Sequence, residues 1–270
     1  MKKIYYITAV FATLFLVGCG DGIDLPGVNV ETDLNKIPLP DNNVNLEQVE
    51  LKPSTEPMLH EGLHTEEDFQ RIRDKKAAGE EPWVSAYQLL VESQFSQKTA
   101  DTYPTEWIKR GVSGDENYMN AARGATIVYQ QALRWKIEQD DEYAAKAVEN
   151  LNKWVQTCVG VTGNTNLSLA AGLYGYEFAI AGELLRDYGG WDRADFAAFQ
   201  NWLLKVFYPA NDDFLKRHHD TNALHYWANW CLCNIAAKMA IGIVTDRRDI
   251  YNEGIAHLQT GDTNGRSEEH

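Results

Sequence analysis

Four polar side chains recur at helical spacing in an otherwise apolar stretch around residue 225. Asn222, His225, Tyr226 and Asn229 occupy positions i, i+3, i+4 and i+7, which predicts one shared helix face. Imidazole and phenol groups transfer protons, and amides donate hydrogen bonds to developing negative charge. This spacing is typical of an acid–base site. It is equally compatible with a hydrogen-bond network that joins helices.

Two short basic segments are candidates for binding an anionic ligand. The chain is acidic, with a formal net charge of −14, which argues against nucleic acid as a partner. A solvated surface is the alternative for both segments. One segment consists of Lys109 and Arg110, which follow Trp107. The other lies in a predicted loop before the polar stretch and contains the basic side chains of Lys216, Arg217, His218 and His219.

The apolar periodicity predicts an all-α domain over residues 61–270. Helices are expected over about residues 65–79, 82–91, 116–138, 140–154, 167–188, 192–208, 220–244 and 246–258. Thr65 and Asp68 are predicted to cap the first helix, and Asp246 the last one. No segment alternates as a strand would. Short loops imply antiparallel helix pairs, in an α-solenoid or an (α/α) toroid, and the toroid is favoured because no fixed 34-residue repeat is found.

The first 60 residues are interpreted as a signal peptide followed by a flexible tether. Lys2 and Lys3 precede an apolar run too short to span a bilayer comfortably, which is typical of a secretory signal peptide over residues 1–19. The end of this run, Leu16–Cys19, resembles a bacterial lipobox, and lipidation of Cys19 would anchor the chain in the outer membrane. Residues 20–60 hold eight acids and two lysines and predict a flexible acidic tether.

The three remaining cysteines are Cys158, Cys231 and Cys233. Their spacing matches no metal site, so buried free thiols are expected.

Ten short segments between residues 60 and 270 occur in the same order as similar segments of a known protein family. These are Gly62–Asp68, Glu81–Trp83, Tyr129–Trp135, Tyr143–Ala147, Leu169–Gly172, Ala181–Leu185, Asn229–Trp230, Ala240–Ile243, Asp246–Arg247 and Gly261–Gly265. In this order they resemble the alginate lyase family of (α/α)-toroid polysaccharide lyases.

The resemblance implies β-elimination of a uronic-acid polysaccharide, such as alginate or a glucuronan, without a metal or other cofactor. Asn229 resembles the family's Asn that neutralises the substrate carboxylate, and His225 and Tyr226 are candidates for base and acid. The family's Glu-Ser-Gly-Arg-Asp-like stretch, with its His, is expected after Gly265. This chain ends at His270, so the resemblance predicts an incomplete, C-terminally truncated toroid.

The residues expected to bind substrate surround these candidates. They are Asn222, Trp230, Arg217, His218, His219, Lys109 and Arg110.

Two other functions remain open at this point. One is an inactive helical surface lipoprotein that binds glycans. The other is a toroid glycoside hydrolase, which needs two carboxylates in one cleft. The acids that precede or interrupt helices are interpreted as caps and loop residues rather than such a pair: Asp192, Asp195, Asp212 and Asp213.

Overall fold

The computed structural model describes residues 58, 60 and 62–263 of the chain. The predicted signal peptide with Cys19, nearly all of the predicted tether and residues 264–270 lie outside this part. The α-helices are α1 (Glu66–Ala77), α2 (Trp83–Glu92), α3 (Tyr118–Glu138), α4 (Asp141–Thr157), α5 (Asn166–Leu185), α6 (Arg193–Val206), α7 (Tyr208–Arg217), α8 (Asn229–Val244) and α9 (Arg248–Thr260). Two short strands are β1 (Trp107–Arg110) and β2 (Gly160–Gly163).

The all-α prediction is confirmed. Helix α5 packs on both α3 and α8, so it lies between these two helices. Helix α4 packs on α3, and α9 packs on α8. Pairs of helices that follow one another along the chain and pack together are the arrangement expected of an (α/α) toroid.

The first helix begins where the sequence predicts. The Thr65 hydroxyl accepts a hydrogen bond from the Asp68 backbone N–H at 3.2 Å, and the Asp68 carboxylate accepts one from the Thr65 N–H at 3.0 Å. This capping box satisfies two amides that helical hydrogen bonds leave free.

Small residues let the central helix approach its neighbours. Helix α5 is buried along most of its length, and a methyl group at Gly172 would lie 2.6 Å from the Sγ of Cys233 on α8. A methyl group at Gly182 would lie 2.2 Å from the Phe199 ring on α6. Both distances are shorter than van der Waals contact, so these helices depend on glycine at the two positions.

The parallel pair of strands was not predicted. Trp107 pairs with Gly160 and Arg110 with Gly163, and each strand has four residues. Runs this short carry almost no alternation signal. The pair matters for the site because successive side chains of a strand point to opposite faces, which separates Lys109 from Arg110.

The prediction of one helix over residues 220–244 is wrong. Residues 218–220 and 223–226 form two short 3₁₀ turns, and α8 begins only at Asn229. The sequence also missed α7, which starts at Tyr208-Pro209, where proline suits the first turn of a new helix. Asp246 does not cap the last helix, since Arg247 occupies the N-cap position of α9.

His60, the last residue of the predicted tether, contacts the helical domain. Its Nδ1 lies 3.1 Å from Glu183 and its Nε2 lies 3.0 Å from Asp246.

Within the described part of the chain, no helix combines the length and the apolar character needed to cross a membrane.

Candidate active site

The connection between α7 and α8 decides where the predicted site residues lie. His218, His219 and Asp220 have φ values of 47°, 56° and 57°, and Ala228 has a φ of 62°. Residues with a side chain rarely adopt this left-handed region, because Cβ approaches the backbone carbonyl oxygen. The chain therefore turns sharply at both ends of residues 221–227. As a consequence, Asn222 and Asn229 do not share a helix face.

Asn222 and Asn229 are both exposed, and they lie at the starts of two separate helical segments. The Asn222 Oδ1 accepts a hydrogen bond from the Leu224 N–H at 3.0 Å and caps a 3₁₀ turn. The Asn229 Oδ1 accepts one from the Trp230 N–H at 2.9 Å, at the first residue of α8. Because the Asn229 amide is open to solvent at a helix N-terminus, it is accessible to a negatively charged group.

The structure brings three predicted site residues together around a buried phenol. Tyr226 is only 3% exposed, and its ring centroid lies 4.7 Å from that of His225 and 5.6 Å from that of His219. Trp230 completes the group, with its ring centroid 4.8 Å from that of Tyr226.

The hydroxyl of Tyr226 lies near the side chains of Thr165 and Thr221. It makes no hydrogen bond of standard geometry to any residue that the structure describes. Burial raises the pKa of this phenol, so it keeps its proton at neutral pH.

The two neighbouring histidines are held in a neutral state by burial. His219 is 3% exposed, its Nε2 lies 3.1 Å from the Ser168 Oγ, and burial lowers its pKa. His218 is 6% exposed, its Nε2 lies 3.3 Å from the Cys231 Sγ, and burial again lowers its pKa. A neutral imidazole can accept a proton, but it does not attract an anion as a charged one would.

The cations at the end of α7 face buried carboxylates. Lys216 Nζ lies 2.7 Å from Asp212, and the Arg217 guanidinium lies 2.7 Å from Asp213. Both acids are nearly inaccessible, at 2% and 3% exposure, and Lys238 of α8 binds Asp212 from the other side at 2.7 Å. The interpretation of these two acids as caps or loop residues is therefore wrong, since they neutralise cations inside α7.

The other basic segment divides into one paired and one unpaired cation. Lys109 Nζ lies 2.6 Å from the Asp115 carboxylate. The Arg110 guanidinium lies over the Tyr118 ring, 4.6 Å from its centroid, and its Nη1 lies 3.5 Å from the Tyr174 hydroxyl. Among the residues that the structure describes, no carboxylate forms an ion pair with Arg110. A half-buried, unpaired guanidinium is a ready site for an anion.

Sequence reasoning singled out Arg110 but missed the polar group that surrounds it on α3 and α5. We call it the tyrosine cluster, and it comprises Arg110, Tyr118, Tyr129, Tyr174, Tyr176 and Glu177. A signal was present, because Tyr174 and Glu177 are three residues apart in a helix of mostly small and apolar residues. Only the packing of α3 against α5 places Tyr129 beside them.

The described residues contain no group of three or more His, Cys, Asp or Glu side chains that could hold a metal ion. Cys158 and Cys231 are buried free thiols, and Cys233 is a partly buried one.

Comparison with known proteins gives one match, to the family model described as alginate lyase. The match covers residues 72–269, which is more than half of the chain and spans all helices from α2 to α9. No curated protein and no solved structure matches the chain significantly. The packing of the helices and this match lead to one conclusion: the chain belongs to the alginate lyase family.

Proposed function

We propose that this chain cleaves a uronic-acid polysaccharide, such as alginate or a glucuronan, by β-elimination. Membership of the alginate lyase family supports polysaccharide lyase activity in general. The observation that carries the finer proposal is the unpaired Arg110 guanidinium between Tyr118 and Tyr174. A planar guanidinium binds a carboxylate through two hydrogen bonds, and the adjacent, partly accessible Tyr118 ring suits a sugar face.

The proposed reaction uses charge neutralisation and proton transfer. The Asn229 amide and the Arg110 guanidinium bind the uronate carboxylate and stabilise the negative charge that develops when the C5 proton leaves. His225 accepts this proton, and the electron pair of the C5–H bond forms the C4=C5 double bond. The C4–O4 bond breaks, and Tyr226, protonated at neutral pH, donates its proton to the departing oxygen.

A second candidate function is glycan binding without cleavage. The observation that favours it is the enclosure of the proposed acid, because Tyr226 is 3% exposed and its hydroxyl is buried. For catalysis, residues 221–227 must move to admit substrate. For binding alone, the exposed Asn229 and the half-buried Arg110 are sufficient.

One assay separates these functions. Purified chain is incubated with alginate, a glucuronan and a neutral polysaccharide, and ultraviolet absorbance is followed to detect the new double bond. A lyase produces rising absorbance with uronate polymers only, and Asn229→Ala lowers the rate about 10²-fold or more. The matched control is Asn222→Ala, which removes another exposed amide from a turn seven residues earlier.

Three other results would contradict the proposal. New reducing ends without absorbance identify a hydrolase. Retained binding without any product identifies a glycan-binding protein. Equal rates for Asn229→Ala and the unmodified chain remove Asn229 from the mechanism.

We further propose that the chain is an exported lipoprotein of the bacterial outer membrane, attached through Cys19. The basic start, the short apolar run and the Leu16–Cys19 segment support this location. Growth of an expressing bacterium with a radiolabelled fatty acid should label the unmodified chain. The Cys19→Ser variant should carry no label, and equal labelling of both would exclude Cys19 as the anchor.

A further inference from the structure

Trp107 exposes a large aromatic ring on the outer face of the ribbon that β1 and β2 form. Its side chain is 43% exposed, whereas the next residue, Ile108, is completely buried. Because successive side chains of a strand point to opposite faces, Ile108 anchors β1 to the core and Trp107 points away from it. Val161, which pairs with Ile108 across the ribbon, is also buried. The ribbon thus has an inner face that packs on the helices and an outer face that carries the indole.

The indole of Trp107 is seated on the neighbouring strand. Trp107 pairs with Gly160, and a methyl group at Gly160 would lie 2.4 Å from Cζ3 and 3.0 Å from Cε3 of the indole. Both distances are shorter than van der Waals contact, so glycine at this position lets the six-membered part of the ring lie against the backbone of β2. The ring is therefore supported by the ribbon and still accessible to solvent.

Hydrogen bonds fix the backbone that carries this ring. The carbonyl oxygen of Trp107 accepts hydrogen bonds from Asn117 Nδ2 and from Thr105 Oγ1, both at 3.0 Å. The Asn117 Oδ1 accepts one from the Lys109 N–H at 2.8 Å, and the Asn117 N–H donates one to the Lys109 carbonyl oxygen at 3.2 Å. Asn117 thus occupies this edge of β1 as a neighbouring strand would. A ligand meets a ring that is already held in place, which lowers the entropy cost of binding.

The Trp107 side chain has no polar or aromatic partner among the residues that the structure describes. Its indole N–H donates no hydrogen bond to them, and no other aromatic ring or cation of theirs lies against the indole. Lys109 lies on the same outer face, but its ammonium is paired with Asp115 at 2.6 Å. The face therefore offers a ligand one aromatic ring and one N–H donor. This combination suits a sugar, which presents C–H groups on the faces of its ring and hydroxyls at the edge.

The ribbon places the Trp107 ring close to the proposed uronate site. Arg110 follows Trp107 by three residues on the same strand, a distance of about 10 Å along β1. The Arg110 side chain lies over the Tyr118 ring, on the other face of the strand. When one sugar of a uronate polymer is bound at Arg110, sugars further along the same polymer are within reach of the outer face.

We propose that Trp107, seated on Gly160, forms an accessory binding site at which a sugar ring of the uronate polymer stacks outside the catalytic centre. The inference rests on the proposed function, since it takes the polymer bound at Arg110 as the ligand. Two contacts with one polymer reinforce each other, because the second becomes intramolecular once the first has formed. The accessory site thus raises the affinity for long chains without any added contact to the reacting sugar.

The experiment measures binding to long polymers in native gels that contain increasing concentrations of alginate or of a glucuronan. Retardation of the protein by the polymer gives a dissociation constant for each variant. All variants are made in the Asn229→Ala chain, so that the polymer is not cut during the run, and ultraviolet absorbance verifies that no double bond forms. Intrinsic tryptophan fluorescence, titrated with the same polymers in solution, reports whether the ligand reaches the indole.

The key variant is Trp107→Ala. It should raise the dissociation constant for the polymer about 3- to 10-fold, the range expected for the loss of one aromatic contact. Trp107→Phe keeps a stacking ring and should bind within about twofold of the parent chain. Because it lacks the indole, its fluorescence should respond less to the polymer than that of the parent.

Gly160→Ala tests the seat of the ring while the ring itself is kept. The added methyl group displaces the indole, so the dissociation constant should rise as it does in Trp107→Ala. The matched control is Val159→Ala, which removes a 55% exposed apolar side chain next to Gly160. Since it removes no ring, it should change the dissociation constant less than about twofold. Chemical denaturation verifies that each variant is folded.

Four outcomes would overturn the accessory site. One is a Trp107→Ala variant that is retarded like the parent chain. Another is a Val159→Ala variant that is weakened as much as Trp107→Ala, which identifies a nonspecific apolar contact. The third is an equal fluorescence response of the parent and Trp107→Phe, and the fourth is a parent chain that no uronate polymer retards.

The accessory site and the proposed lyase activity can fail separately. Retardation that depends on Trp107, in an unmodified chain that generates no absorbance, would contradict the lyase activity and leave the accessory site standing. Cleavage by the unmodified chain, together with equal retardation of the parent and Trp107→Ala, would leave the lyase activity standing and remove the accessory site.

Discussion

Two pairs of neighbouring cations, Lys109–Arg110 and Lys216–Arg217, are similar in sequence but differ in whether carboxylates neutralise them. At the end of α7, Lys216 and Arg217 face the buried carboxylates of Asp212 and Asp213. In β1, Lys109 pairs with the exposed carboxylate of Asp115, and Arg110 is left among phenol rings. A basic residue is therefore available to an anionic polymer only where the fold supplies no carboxylate.

The difference has a physical origin in burial. Asp212 and Asp213 are almost inaccessible, and a buried carboxylate is stable only when a cation or hydrogen-bond donors replace its hydration. The cations near α7 are thus committed to the structure. Arg110 keeps part of its surface accessible and has a weak neutral partner in Tyr174, so an incoming carboxylate does not have to displace a stronger one.

The largest expected effect is on stability, in the α7 region. Asp212→Ala removes the carboxylate shared by Lys216 and Lys238. Among the described residues, the buried Lys238, which is 5% exposed, then keeps one ion-pair partner, the partly exposed Glu253. Breaking a buried pair from one side should lower the free energy of unfolding by about 3 kcal/mol. Chemical denaturation measures this loss, and an unchanged transition would show that α7 is not held by these pairs.

The next largest effect concerns binding, in β1. Arg110→Ala should raise KM for a uronate polymer about 10- to 100-fold, since a hydrogen bond to a charged group contributes about 1.5–3 kcal/mol. The free energy of unfolding should change by less than about 1 kcal/mol, because only a ring contact with Tyr118 and a long hydrogen bond to Tyr174 are lost. Steady-state kinetics on uronate polymers and a denaturation curve for each variant test both statements.

Lys109→Ala is the matched control for Arg110→Ala. It removes the adjacent cation, which is already paired with Asp115, and should change KM less than about threefold. Equal effects of the two variants would mean that general charge attraction, and not the Arg110 position, governs binding.

The smallest effect is expected for Lys216→Ala. Its side chain is 62% exposed, and Asp212 keeps Lys238 after the substitution. The free energy of unfolding should fall by less than about 1 kcal/mol, and KM should stay unchanged. A clear rise in KM would restore the predicted role of Lys216 in binding an anionic ligand, and the salt dependence of KM would measure that role.

The helices were predictable where local chemistry is strong. Thr65 and Asp68 define the start of α1, and apolar periodicity identifies α3 and α5 within a few residues. The prediction failed over residues 218–228, because the periodic pattern of Asn222, His225, Tyr226 and Asn229 continues through left-handed turns that periodicity cannot detect. The strands β1 and β2 were missed because their pairing joins residues about 50 positions apart.

The candidate site, too, was predictable from the sequence only in part. The sequence by itself determined an all-α chain, its family resemblance, and the residue types that suit a uronate: amides, histidines, phenols and arginine. Only the tertiary structure decided which of these groups are available. It buries His218, His219 and Tyr226, binds Arg217 to Asp213, exposes Asn229 and surrounds Arg110 and Glu177 with tyrosines. The reason is that the charge and accessibility of a side chain depend on its neighbours in space, and those neighbours come from helices far apart along the chain.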